Sequence, residues 1–156
     1  MQKITILAIG KIKTDYFAQA AAEYLKRLKS FVKVEIRELP ALSFSSANQV
    51  KVKKEEGRKL QEELARQKGC RIVILDEHGK QFTSPDFSQF IFANTQPLVL
   101  VIGGSLGLTE ELFKAFPQAI KLSLAAMTLP HELARVVLLE QLYRAVTIAK
   151  KMTYHY

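Results

Sequence analysis

The chain has 156 residues, 48% of them hydrophobic, a formal net charge of +8, three histidines and one cysteine. That length suits one domain, residues 1–156, able to bury roughly 70% of its unfolded surface, and the composition excludes a disordered chain. The single Cys70 excludes an intramolecular disulfide and a cysteine-rich metal site, and no apolar run approaches the ~20 residues that span a bilayer.

Strand and helix signals alternate along the chain, which predicts an α/β fold. Lys3–Ile9 reads as a first strand and not a signal peptide, so a cytoplasmic protein is expected. Thr14 can cap a helix running to about Lys29, with Phe17, Ala21, Tyr24, Leu25 and Leu28 on one face. Val32–Leu39 alternates apolar and charged residues, as a half-exposed edge strand does. From Ala47 to Lys68 the chain is highly charged, with Val50, Leu60 and Leu64 as a thin apolar stripe. That pattern predicts a solvent-facing helix laced with same-helix ion pairs. Arg71–Leu75 is a buried strand ending in a turn, Asp76-Glu77-His78-Gly79. Ser84-Pro85 opens a further helix, Ser84 as its cap and Pro85 at its first position, and Leu98–Ile102 is a fully apolar strand. Thr109 caps a short helix to Phe116, Ala119–Leu124 is a fifth strand, and a long helix follows Pro130 to about Lys150. This last helix is apolar around most of its circumference, which predicts burial against more than one neighbour.

The strand Leu98–Ile102 drops into Gly103-Gly104-Ser105-Leu106-Gly107. Glycines so placed permit close backbone approach, and in open α/β sheets ligands bind at the carboxyl ends of strands. The loop matches neither a dinucleotide fingerprint nor a phosphate loop, so a ligand loop and a tight turn both remain open. His78, His131 and His155 lack metal-ligand spacing, and no nucleophile elbow is present; no metal is expected. His131 stands at a helix start, where a neutral imidazole is favoured. Arg135 and Arg144 lie on an otherwise apolar helix, and each needs an anionic partner, a carboxylate or a phosphate. The ending Tyr154-His155-Tyr156, taken alone, reads as a frayed tail. Residues 1–69 carry +7 and residues 70–156 carry +1. That basic half suits nucleic acid, although a solvated surface has the same composition, and it lacks the interleaved aromatics of a single-strand stacking platform.

Taken in order, Val101–Leu108, Leu122-Ser123-Leu124-Ala125-Ala126-Met127-Thr128-Leu129-Pro130-His131, Arg135–Ala145 and Tyr154-His155 resemble one family over the whole chain. This is the bacterial ribosomal large-subunit RNA pseudouridine N3-methyltransferase H family, of the SPOUT superfamily. The resemblance implies an α/β domain whose parallel sheet is flanked by helices, with a deep C-terminal trefoil knot. It implies an obligate homodimer that binds S-adenosylmethionine in the knot at the subunit interface. It also implies methyl transfer to N3 of a pseudouridine in helix 69 of 23S rRNA within the 70S ribosome. By the same resemblance, cofactor contacts fall on Leu75, Gly103, Leu124, Ala125, Ala126, Met127, Thr128 and Leu129. His131, Arg135, Arg144, Tyr154 and His155 are expected around the catalytic pocket, with His155 as base, His131 second to it and Tyr154 positioning the target. Relatives often carry a basic residue where Tyr156 stands here, which separates the tail's last contact from the family pattern. Such a transfer needs aligned approach and a dry pocket, not a metal or an enzyme nucleophile. A non-catalytic RNA-binding module and a flavodoxin-like nucleotide-binding domain are the rival readings.

Overall fold

The computed structural model describes residues 1–156. In chain order these form β1 (Lys3–Ile9), α1 (Asp15–Leu28), β2 (Lys33–Leu39), α2 (Gln49–Ala65), β3 (Arg71–Gln81), α3 (Ser84–Phe92), β4 (Leu98–Ile102), α4 (Glu110–Ala115), β5 (Ile120–Ser123) and α5 (His131–Ala149). The five strands make one sheet in the order β2-β1-β4-β3-β5, and every pairing is parallel. A parallel sheet needs crossover helices, and those helices cover both of its faces.

The period-two alternation of each central strand decides which layer it feeds. Ile4, Ile6 and Ala8 of β1 and Leu98, Leu100 and Ile102 of β4 join residues of α1, α3 and α5 in one core. Leu7, Ile9, Val99 and Val101 point the other way and meet Leu60 and Leu64 of α2 and Leu112 of α4. The long helix α5 packs against both α1 and α3, which explains an apolar circumference wider than one stripe.

Four local expectations are corrected. Thr14 stands at the N-cap of α1, but its side chain makes no cap hydrogen bond; its N–H donates instead to Glu132 Oε1 at 3.0 Å. On α2 the buried stripe is Val52, Glu56, Leu60 and Leu64, whereas Val50 is exposed. The four-residue spacing was interrupted by a carboxylate and so passed for a polar face. Thr83, not Ser84, caps α3, accepting from the Asp86 N–H at 3.2 Å. Finally, β3 does not stop at a turn. It pairs with β5 up to Leu75, loops out Asp76–Gly79 and resumes at Lys80, so Leu75 and Lys80 both face Leu122. Gly79 makes this possible, because a Cβ there would lie 2.6 Å from the Lys121 carbonyl carbon.

Candidate functional site

A cavity of about 930 Å³ opens at the carboxyl end of β4, beside the Asp76–Gly79 bulge of β3. Its walls come from the glycine loop after β4, the segment 124–130, the Asp76–His78 bulge, Lys53 of α2 and the first turn of α5. The glycine loop is closed on itself: the Gly107 N–H donates to the Gly104 carbonyl at 3.0 Å, and Gly107 has φ +76°, the left-handed region. Below the loop, a Cβ on Gly103 would stand 2.9 Å from Leu108 Cδ2. One on Gly104 would stand 2.9 Å from Ile9 Cγ2 and 3.0 Å from Glu56 Oε2. Both glycines are therefore demanded by the protein's own packing, a reason that a strand followed by glycines does not disclose.

Opposite this loop, Thr128 donates its hydroxyl hydrogen to the Glu77 carboxylate and ties the 124–130 segment to the bulge of β3. His131 lines the cavity, its Nδ1 3.4 Å from Ser105 Oγ. Next to it, Glu132 accepts from the backbone N–H groups of Thr14 and Lys13, the latter at 2.6 Å. These donors, Thr14 first, hold the Glu132 carboxyl below the usual carboxylate range.

Of the residues expected at the site, Leu75, Gly103, Leu124, Ala125, Met127, Thr128, Leu129 and His131 line this one cavity. Ala126 does not line it and is exposed, as is most of Met127 beside it. Arg135 is also outside the lining. Its side chain is 2% exposed, donates from Nη2 to the Gly10 carbonyl at 2.8 Å and lies 3.6 Å from Glu38 Oε2. Burial pushes the Arg135 guanidinium down, and the Glu38 charge works against that shift. Its anionic partner is thus a carboxylate.

Arg144, Tyr154 and His155 gather elsewhere. Arg144 pairs with Glu140 at 2.6 Å and lies over the Tyr154 ring, with its Nη1 3.4 Å from His155 Nδ1. Tyr154 packs edge-on against Tyr143, centroids 4.8 Å apart, and donates to Glu140 at 3.2 Å. Burial, with Glu140 beside it, pushes the Tyr154 phenol well above its ordinary value, so it stays protonated. The tail is therefore anchored at Tyr154, while His155 and Tyr156 are exposed. Thirteen residues of helix separate His131 from Arg144, about 20 Å at 1.5 Å per residue. Within one chain the two histidines do not share a site.

The cavity lining also holds residues the sequence reading passed over: Asp76, Glu77 and Lys53. An acidic pair at the carboxyl end of a buried strand was the available signal, obscured because Gly79 made it read as a turn.

The chemistry of the lining suits a nucleoside-bearing sulfonium. Leu75, Leu124 and Leu129 offer apolar walls, the glycine loop offers close-lying backbone, and carboxylates stand at the rim.

Residues 2–155 match the family model described as "Predicted SPOUT methyltransferase". A protein named ribosomal RNA large subunit methyltransferase H from Ruminiclostridium cellulolyticum is 42% identical, covering 98% of this chain and 99% of its own. Its namesake from Bacillus cytotoxicus is 40% identical, covering 97% and 98%. Among solved structures, ribosomal RNA small subunit methyltransferase E from Neisseria gonorrhoeae, bound to S-adenosyl methionine, superposes with TM-score 0.52 at 13% identity. That match spans 89% of this chain and 64% of the other, and at such identity it speaks for a shared fold.

Proposed function

The chain belongs to the SPOUT methyltransferases and is an rRNA methyltransferase, and from that premise we propose that it transfers a methyl group from S-adenosylmethionine to N3 of a pseudouridine in helix 69 of 23S rRNA, in the assembled 70S ribosome. One SPOUT domain spans residues 1–156 in this reading; it carries a C-terminal trefoil knot and works as a cytoplasmic homodimer. No helix is long and apolar enough to cross a membrane. The observation that carries the proposal is the convergence of Leu75, Gly103, Leu124, Ala125 and residues 127–129 on one cavity at the carboxyl ends of the sheet.

S-adenosylmethionine, when bound, supplies an electrophilic methyl group on sulfur. Leu75, Gly103, Leu124, Ala125, Met127, Thr128 and Leu129 would hold it, Ala126 shaping the same segment from outside. The half-buried side chains of Leu75, Leu124 and Leu129 would exclude water from the transfer. The N3 proton must leave as the new bond forms, and His155 takes it, with His131 the second candidate. A protonated Tyr154 positions the target base by hydrogen bonding and does not act as a base. Arg144 holds the tail through Glu140 and Tyr154, and Arg135 keeps the start of α5 in register with the first loop. Because the His155 end of α5 lies about 20 Å from the cavity along the helix, the tail serves the cavity of the second subunit.

Incubation with methyl-labelled donor and separate 30S, 50S and 70S particles, followed by mapping of the labelled nucleotide, tests this reading. Label at one pseudouridine of 23S rRNA in 70S particles is expected. Label confined to 30S particles, or none above background with any particle, overturns it.

A further inference from the structure

The arginines and lysines of the basic half are used differently. Arg27, Arg37, Arg58 and Arg66 are each ion-paired to glutamates, and the neighbouring Arg71 donates to backbone carbonyls. By contrast no lysine of residues 1–69 is in an ion pair, and it is position that singles out Lys11, Lys13 and Lys53 among them. Lys11 and Lys13 are exposed on the loop between β1 and α1, and Lys53 lines the cavity. β1 pairs directly with β4, with Ala8 opposite Ile102, so that loop leaves the sheet one strand away from the glycine loop. It is latched to the cavity's helix by the Lys13 and Thr14 N–H groups on Glu132 and by Arg135 on the Gly10 carbonyl. Of the acidic groups around it, Glu38 is paired with Arg135, Glu132 keeps its charge while accepting those N–H groups, and Asp15 is in no ion pair. Three residues past Lys13, Tyr16 is 69% exposed, its ring standing edge-on to Phe17 at 4.6 Å.

Unpaired cations beside an exposed ring, on a loop fixed rigidly to the rim of a cavity, are what single-stranded nucleic acid recognises: phosphates on the lysines and a base on the ring. Building on the RNA substrate proposed above, we propose that Lys11, Lys13 and Tyr16, with Lys53 at the cavity lip, form the edge on which the RNA substrate docks. The lysines hold backbone phosphates on the approach to the cavity, and Tyr16 stacks a nucleotide flanking the target.

The test compares Lys11→Glu/Lys13→Glu, Tyr16→Ala and Tyr16→Phe with Lys29→Glu/Lys33→Glu, which makes the same charge change at the amino-terminal end of the strands, where β2 begins. Three quantities are read: donor affinity by calorimetry, retention of 70S particles across a salt series, and KM against kcat for methylation. The loop pair is expected to weaken particle binding more than tenfold and to lower the salt slope by about 2. Tyr16→Ala is expected to weaken it about tenfold and Tyr16→Phe to restore it, with donor affinity unchanged throughout. Equal losses from the Lys29/Lys33 pair, or binding within twofold of the parent for the loop pair and Tyr16→Ala, overturn the proposal. So does a change of oligomeric state in the loop variants, which would make a second copy the occupant of this edge. Particle binding that follows the prediction without methyl transfer would sink the proposed reaction and leave the docking edge standing.

Discussion

The two ends of α5 handle polar side chains in opposite ways. At the C-terminal end, Glu140, Arg144 and Tyr154 satisfy one another and pin the tail to the helix. At the N-terminal end, Glu132 and Arg135 reach away from the helix to grip the first loop, and His131 is left facing the cavity with a single polar neighbour at 3.4 Å. One end is a closed network, whereas the other is a scaffold holding an open site. The same apolar helix can serve both because its middle, including Leu138, Leu139 and Leu142, is buried between α1 and α3.

Removing Arg135 should break the scaffold end most severely. Arg135→Met leaves Glu38 without its cation and the Gly10 carbonyl without its donor. With Glu38 partly exposed, a loss of about 3 kcal/mol is expected in urea unfolding followed by circular dichroism. Arg135→Lys should recover part of it. Arg144→Met, at the closed end, should lose clearly less, and equal losses would erase the contrast.

Gly104→Ala comes next, at about 1–3 kcal/mol, because Ile9 is 1% exposed and cannot yield to the new methyl group. Donor binding by calorimetry should weaken as well, since the displaced loop moves into the cavity.

Glu132→Gln should lose less than about 1 kcal/mol near neutral pH, given the solvent screening of a half-buried group at the surface. Its folded-state pKa is lowered, so its contribution is complete above the ordinary glutamate range near pH 4.3 and is lost as pH falls through the depressed value. The stability gap between parent and variant should therefore close in acid unfolding curves. A gap that widened in acid would contradict the latch.

The smallest effect is expected from Tyr154→Phe, which removes one hydrogen bond to Glu140, about 0.5–1 kcal/mol in the same unfolding assay.

The five strands were legible because each central strand is a run of apolar β-formers, and parallel order followed from their alternation with helices. What escaped was set by distant partners. Glu56 hid the buried face of α2, because a carboxylate at a core position looks like solvent until Leu42 is seen donating to it at 3.2 Å. The Asp76–Gly79 bulge depends on the backbone of Lys121 crossing beside Gly79, 42 residues on. The cavity wall 124–129 was legible through family resemblance alone, since no periodicity marks it. His131 was found by its place at a helix start, but nothing local separated it from His155, and only the length of α5 does so.

That separation carries the central claim, that the open end of one α5 works with the closed end of another. Hybrid dimers, purified through two different tags, would pair a His155→Ala protomer with a Leu129→Trp protomer whose cavity is filled. Each variant alone should be inactive as a homodimer. The account predicts that the hybrid regains about half of the parent's methylation of 70S particles, one intact cavity meeting one intact tail. A hybrid as inactive as its two parents would contradict it.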